Sequence, residues 1–256
     1  MNGKVIKHLV FLLAIVCTNM VVGCAASSVD CRAESADVDL VKTVLEKLKQ
    51  HTAELKSYEG QVEYRFIQPL LESETLRRGV LYYKSSNGKS DLRMNFQTLK
   101  QDEEEEQKYA EQYIFDGVWL THIDYQIKEV KRYQKAEPDN PVDSFELVSE
   151  NFPIIGFSNV QELEKEFEIE LAEPQPDDFI QLHLKVKPDS DYKDSYTTID
   201  FWIDKELYLP AKIVAVSTDE DIYEIKFLKP QVNKEIDKKV FELKIPKGFG
   251  VEIVPL

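Results

Sequence analysis

The sequence predicts a mainly β fold of the α+β class. We expect a single large curved antiparallel sheet that forms an unclosed β-barrel of about ten or eleven strands, covered by an N-terminal helix and short inserted helices. Two observations lead to this prediction. Apolar and polar residues alternate with a period of two along many stretches, which is typical of strands with one buried and one solvated face. One stretch near the N-terminus instead repeats with the helical period.

The helical stretch covers residues 37–56. Its apolar residues fall on one stripe, with lysines and glutamates elsewhere, and Asp37 or Asp39 is the predicted N-cap. An amphipathic helix must lay its stripe on another element, and packing on the sheet is the favoured interpretation. The stripe consists of Val41, Val44, Leu45, Leu48, Thr52 and Leu55.

Strands with clear alternation cover residues 58–66, 91–97, 180–187, 198–204 and 223–227. Weaker strand patterns cover residues 79–84, 110–115, 118–125, 127–134, 167–172, 207–216 and 240–245. Asn87-Gly88 and Asp116-Gly117 are hairpin signals, and the acidic stretch 101–108 predicts a solvated hairpin tip. Two short helical patterns lie within residues 142–166, and the second opens with a capping-box spacing from Ser158 to Gln161.

Three segments are predicted along the chain: a signal peptide (1–23), a tether (24–36) and one folded domain (37–256). Lys4 and Lys7 precede an apolar run, 9–17, that is short for a membrane span, as in an export signal. Residues 21–24 look like a bacterial lipobox, in which Cys24 is acylated and becomes a lipid anchor. The alternative is ordinary cleavage near Cys24, where the following residues are small. Either reading places the protein in the periplasm or cell envelope.

Composition excludes several classes of function. The 256 residues contain 32 Lys and Arg against 47 Asp and Glu, a net charge of −15, which argues against nucleic-acid binding. With 13 Phe, 12 Tyr and 2 Trp, the chain is too aromatic for a disordered tail. No cysteine follows Cys31, so the domain is not a disulfide scaffold, and we expect a monomer held by an ordinary core.

The sequence shows no convincing catalytic constellation. His122 and Asp124 share one face of a predicted strand, which would suit a general base with an orienting carboxylate. The favoured alternative is a surface pair beside the Asp-Gly turn. No histidine pair has metal-ligand spacing, and no phosphate-binding glycine loop or nucleophile elbow is present. We therefore expect no catalysis, no metal and no cofactor.

Three segments carry a resemblance to a known superfamily. Residues 113–120, with Asp116-Gly117 between two strands, are followed by Tyr125 and Lys128. A closing segment runs from Val232-Asn233 through Phe241, Pro246-Lys247-Gly248 and Val251, and a third feature is Leu209-Pro210 with Ile213. In order and spacing, these segments resemble the LolA/LolB-like superfamily of periplasmic lipoprotein carriers and outer-membrane lipoprotein receptors. The resemblance covers nearly all of residues 37–256.

The resemblance implies an unclosed barrel around a hydrophobic cavity that receives the acyl chains of a lipoprotein or another lipid, with the envelope lipoprotein-sorting machinery as partner. A role as lipid sensor or protein-interaction module on the same fold is the alternative. The inward-facing residues of the strands are the candidate cavity lining, although they would equally form a filled core. They are Val62, Tyr64, Phe66, Leu81, Tyr83, Leu92, Met94, Phe96, Trp119, Ile199, Phe201, Ile203, Tyr223, Ile225 and Phe227.

The sequence also departs from the family pattern. Carriers of this family place a latch arginine after the strand that corresponds to residues 80–84, where this chain has Lys84 followed by two serines. Arg93 is nearby but does not match that position. A lid mechanism like that of the carriers is therefore not expected from the sequence, and the lipobox suits a receptor better than a diffusing carrier.

Overall fold

One sheet of twelve strands dominates the structure, a computed structural model that describes residues 30–86, 89–144 and 160–256. The helices are α1 (Asp30–Ala53) and α2 (Val160–Glu166). The strands are β1 (Ser57–Gln68), β2 (Ser73–Ser86), β3 (Lys89–Gln101), β4 (Gln107–Phe115), β5 (Trp119–Asp124), β6 (Glu129–Gln134), β7 (Phe167–Leu171), β8 (Phe179–Val186), β9 (Tyr196–Asp204), β10 (Pro210–Ser217), β11 (Ile222–Val232) and β12 (Gly250–Val254).

The strand order confirms the predicted unclosed, mainly β fold. It runs β12-β6-β5-β4-β3-β2-β1-β11-β10-β9-β8-β7, so β12 and β7 are the two free edges. Central strand β1 pairs antiparallel with β2 on one side and with β11 on the other. The sheet has one or two more strands than predicted, and it is not wholly antiparallel, because β12 runs parallel to β6.

The predicted strand at residues 240–245 is wrong. A short 3₁₀ helix, Lys238–Phe241, occupies its beginning, and the Asp237 side chain caps it by accepting a hydrogen bond of 2.9 Å from the Lys239 amide. The last strand comes later, at Gly250–Val254. Phe241, Leu243 and Ile245 alternate with polar residues, as in a strand, but the Asp237 cap gives the backbone a different hydrogen-bond partner.

Helix α1 carries the predicted apolar stripe into the core. Val41, Val44, Leu45 and Leu48 are buried, and Leu55 is buried just after the helix ends. The helix begins at Asp30, earlier than the predicted start, so it takes in the last residues of the segment interpreted as a tether. Asp37 and Asp39 therefore lie within the helix and are not its N-cap.

The buried residues define an inner face of the sheet. The inner face is the side on which the main core cluster lies, and this cluster joins the α1 stripe to side chains from β1–β5 and β7–β11. At Gly79 the β2 backbone approaches β3 so closely that a Cβ atom would collide with the Asn95 carbonyl oxygen. Only glycine allows this approach, and the register of β2 and β3 shifts there.

The Asp116-Gly117 turn between β4 and β5 is confirmed. Gly117 has φ = +90°, and the Asp116 carboxylate accepts hydrogen bonds from the amides of Val118 and Trp119. The acidic stretch is likewise an exposed tip between β3 and β4. The Asp116-Gly117 turn follows the sequence rules, because glycine tolerates positive φ and aspartate bonds to the backbone of its own turn.

The C-terminal segment, residues 233–249, crosses the outer face of the sheet before it reaches β12. Arg93 binds it there, since its guanidinium donates a hydrogen bond of 2.8 Å to the Val240 carbonyl. A second, smaller cluster lies beneath the segment, where Leu243 and Phe249 pack against buried side chains of β4, β5 and β6. The segment thus covers part of the outer face, whereas α1 covers part of the inner face.

Several predictions lie outside the described residues: the signal peptide, Cys24, the Asn87-Gly88 turn, Ser158 and the first of the two helical patterns. The second pattern corresponds to α2. Neither described helix combines the length and the apolar character that crossing a membrane requires.

Candidate functional site

The structure brings most of the predicted lining residues together on the inner face. All of them except Phe66, Trp119 and Tyr223 are buried members of the main core cluster. Phe66 and Tyr223 are partly buried and pack against that cluster. They converge because cross-strand partners point to the same side of a sheet: Val62 pairs with Phe227, and Leu81 with Met94.

Trp119 is the residue that the structure does not place with the others. On β5 it is Leu120 that joins the core cluster, and because neighbouring residues of a strand alternate, Trp119 points to the other face. There its ring lies 4.9 Å from the Arg132 guanidinium, which is cation–π distance. The pairing of Leu120 with buried Phe115 fixes this register.

Aromatic rings lie at the end of the inner face where β1 ends and β11 begins. Phe66 and Tyr223 stack with centroids 4.9 Å apart, and Tyr196 meets Tyr223 edge-on at 6.3 Å. These three rings are only partly buried. Deeper in, Tyr64 packs against Phe96, and burial raises the pKa of its hydroxyl well above the usual value. At this end, burial therefore increases from the half-exposed rings to the buried side chains of the interior.

A cleft of about 210 Å³ separates α1 from the edge strand β7 and from the end of α2. Its walls are Val41, Leu45, Phe167 and Ile169, with Lys42 and Glu164 also lining it. Val41, Leu45 and Phe167 belong to the main core cluster, and Ile169 packs against it. The walls of the cleft are therefore part of the main core cluster, at the place where the sheet has a free edge.

A buried ionic cluster interrupts the apolar inner face. It consists of Arg77 on β2, Glu111 and Tyr113 on β4, and His122 on β5, and we call it the Glu111 cluster. The Tyr113 hydroxyl donates a hydrogen bond of 2.8 Å to Glu111 Oε1, and His122 Nε2 lies 2.8 Å from the same oxygen. Arg77 Nη1 lies 3.4 Å from Glu111 Oε2. The Tyr113 and His122 rings stack at 4.5 Å, which fixes both donors.

The surroundings of Glu111 keep it ionised although it is only 4% exposed. Burial acts to raise its pKa, but the hydrogen bonds from His122 and Tyr113 and the charge of Arg77 outweigh burial and hold the pKa below its usual value. With Glu111 ionised, His122 donates through Nε2–H. Burial and the Glu111 charge raise the pKa of Tyr113, so its hydroxyl stays protonated as a donor.

The structure assigns His122 a different partner from the one that the sequence suggested. Its carboxylate partner is Glu111, across the strand pair, whereas the Asp124 carboxylate accepts hydrogen bonds from the amides of Gln126 and Ile127 in the β5–β6 turn. Sequence reasoning missed Glu111. The signal was its period-two spacing with Tyr113 and Phe115, which places a carboxylate on the buried face of β4. Within the described residues, no three His, Cys, Asp or Glu side chains are grouped so as to hold a metal ion.

The chain is similar to several solved structures, all at low sequence identity. An uncharacterized conserved protein from Thermus thermophilus is 10% identical, with 83% of this chain and 98% of that chain covered and a TM-score of 0.47. A MucA/MucB complex of Pseudomonas aeruginosa is 11% identical, with a TM-score of 0.44 over 79% of this chain. This chain spans 60% of the length of that relative.

A LolA superfamily protein from Nitrosomonas europaea is 12% identical, with 79% of this chain and 97% of that chain covered and a TM-score of 0.34. No protein-family model matches the sequence, and no curated protein matches it.

Lys84, the residue at which the resemblance would place a latch arginine, binds the C-terminal segment in this structure. Lys84 donates a hydrogen bond of 3.0 Å to the Ile236 carbonyl, and Arg93 also binds the C-terminal segment. Both hydrogen bonds lie on the outer face of the sheet. Arg77, by contrast, lies on the inner face.

Proposed function

We propose that the protein binds the acyl chains of a lipoprotein or another lipid on its inner face and takes part in lipoprotein sorting or transport in the cell envelope. The observation that carries this proposal is the cleft between α1 and β7, because its apolar walls are continuous with the core cluster. The similarity to the LolA/LolB-like superfamily, noted from the sequence, agrees with it. The proposal involves no catalytic step.

The fold offers a simple route for a lipid into the interior. The sheet ends at β7, so α1 is held there by side-chain packing and not by a further strand. Separation of α1 from β7 would expose Val41, Leu45 and Phe167 as one apolar groove. Each methylene group of an acyl chain buried in such a groove contributes about 0.8 kcal/mol, which replaces the burial lost when the helix moves.

The test is uptake of lipid by the exported chain carrying Cys24→Ala, which removes the proposed acylation site and keeps small residues for ordinary signal cleavage. We expect native mass spectrometry to show co-purified lipid, or a stable complex with an offered triacylated lipopeptide. Ile169→Trp fills the cleft and should reduce uptake about tenfold, since a site blocked by a bulky ring loses the packing of the chain.

Ile127→Trp is the matched control, because Ile127 is an exposed isoleucine on the β5–β6 turn, away from the cleft. It should bind lipid like the parent. Recovery of lipid-free protein from every preparation, with no uptake of lipopeptide, would refute the proposal and favour the interaction-module alternative. Equal uptake of lipid by the two tryptophan variants would show that lipid does not enter through the cleft.

We also propose that Cys24 anchors the mature protein to a membrane of the cell envelope. The lipobox-like residues 21–24 support this, because acylation of the cysteine would tether the chain by burying its methylene groups. Cells grown with labelled palmitate should incorporate label into the parent and into Cys31→Ser, but not into Cys24→Ser. Label in Cys24→Ser equal to that in the parent would refute the anchor.

A further inference from the structure

Arg77 is a cation on the apolar inner face with much of its hydrogen-bonding capacity unused. Its cross-strand partners are Tyr64 on β1 and Leu99 on β3, so its side chain projects to the side of the core cluster. Among the described residues, its one ion pair is the 3.4 Å approach of Nη1 to Glu111 Oε2, and its buried Nε has no hydrogen-bond partner. A guanidinium carries five N–H donors, so most of them are available.

The rest of the Glu111 cluster does not use these donors. Tyr113 and His122 both bond to Oε1 of Glu111, and Oε2, although close to Arg77, accepts no hydrogen bond. The Arg77 side chain is 27% exposed, so it is reachable from solvent although its Nε is not. The remaining Nη–H donors can therefore form charge-assisted hydrogen bonds with an incoming anion.

The neighbours of Arg77 determine the kind of anion. Tyr64 and Phe96 lie along the same face, and the Tyr109 ring lies 5.6 Å from the guanidinium. A small soluble anion would gain nothing from these rings. An acidic amphiphile gains from the rings and from the cation, because its chain covers the aromatic wall while its acidic oxygens bind Arg77.

We propose that the lipid bound on the inner face has an anionic headgroup, a carboxylate or a phosphate, and that Arg77 is the residue that binds it. This rests on the proposed lipid binding and narrows its ligand to acidic amphiphiles. Because a guanidinium binds the two oxygens of such a group in parallel, Arg77 favours it over an alcohol or an ester. The chain and the headgroup are thus recognised by different parts of one surface.

The test compares ligands that share a chain and differ in charge, using the exported Cys24→Ala chain. Palmitate and hexadecyl phosphate should bind about tenfold more tightly than hexadecanol, which is the difference expected for one charge-assisted hydrogen-bonded pair. Arg77→Gln should remove this preference and leave hexadecanol binding within about twofold of the parent. Acetate and inorganic phosphate, which are headgroups without chains, should not bind measurably.

Arg78→Gln is the matched control. Arg78 is the next residue of β2, and its guanidinium pairs with Glu63 and Glu106, away from the Glu111 cluster. It should keep the preference for acidic ligands. Thermal unfolding and near-ultraviolet circular dichroism of both variants establish that they are folded.

Each other outcome has one meaning. Equal affinity of the parent for palmitate and hexadecanol, or an equal loss of both in Arg77→Gln, would overturn the headgroup assignment and leave lipid binding standing. Binding of inorganic phosphate as tight as that of hexadecyl phosphate would show an adventitious anion site only and would also overturn it. If no chain-bearing ligand binds, the proposed function itself fails, and the headgroup assignment fails with it.

Discussion

Glu111 is buried on an apolar face and remains charged because Arg77, Tyr113 and His122 surround it. Removing its charge while keeping its shape would leave Arg77 without its counter-ion and would weaken two hydrogen bonds. We expect Glu111→Gln to lower the free energy of unfolding by about 1–3 kcal/mol at pH 7, measured by urea denaturation. Glu103→Gln, at the exposed β3–β4 tip, should change it by less than about 0.5 kcal/mol.

The same residue gives the prediction a pH dependence. The pKa of Glu111 is lower in the folded protein than its ordinary value of 4.5, so the ionised carboxylate stabilises the folded state above that pH. This contribution is lost as the pH falls through the folded pKa. The stability difference between the parent and Glu111→Gln should therefore shrink below pH 4.5 and stay constant above it. A difference that grows on acidification would contradict this account.

Residue patterns could predict the apolar part of the candidate site, but not its ionic part. Val62, Phe201 and Ile225 lie in strands whose alternation is unbroken, and burial follows from period alone. Glu111 and Arg77 break the pattern of their strands, so each looks like a residue of the solvated face. Spacing along β4 places Glu111 on the same face as Tyr113, but the cross-strand register is needed to show that Arg77 and His122 lie on that face too.

At the level of elements, local sequence predicts strands well where one face is buried and the other is wet. β1, β3, β8, β9 and β11 all satisfy this condition, and each was predicted near its observed position. β12 does not, since its residues 250–253 are exposed and carry little alternation in burial. Its existence depends on pairing with β6, a partner far away in sequence, and no local pattern reports such a partner.

Helix α1 shows how an element and the site depend on each other. Its stripe was predictable from period, and so was its need for a partner. Its actual position, against edge strand β7 with a cleft between them, follows from the strand order and not from the helix sequence. The route proposed for lipid is therefore a property of two elements together, and neither local sequence indicates it when read separately.

For the whole molecule, the central fact is that β1 joins the two halves of the sheet. It pairs with β2, its neighbour in sequence, and with β11, which follows more than half of the chain later. The chain then returns across the outer face of the first half and ends beside β6. The C-terminal segment thus places β12 at one edge of the sheet, opposite the edge formed by β7. Arg93 is a principal contact between this segment and the outer face.

Substitution of Arg93 tests this fastening. Its guanidinium bonds to the Val240 carbonyl and also to the side chains of Asn95 and Gln112, each at 2.8 Å. In Arg93→Gln, residues 233–249 should separate more readily from the sheet, so that β12 loses its pairing with β6. We expect amide hydrogens of β12 to exchange about tenfold faster, because a hydrogen bond to a charged group contributes about 1.5–3 kcal/mol.

The central strand β1 should keep the exchange rates of the parent, since its partners are β2 and β11 and not the C-terminal segment alone. Arg78→Gln again serves as control, because it removes an arginine of neighbouring strand β2 whose partners are Glu63 and Glu106. Exchange in β12 that is unchanged in Arg93→Gln would show that the small cluster of Leu243 and Phe249 alone holds the segment. Faster exchange throughout the sheet would instead show that the segment supports the whole fold, because a local opening leaves distant strands protected.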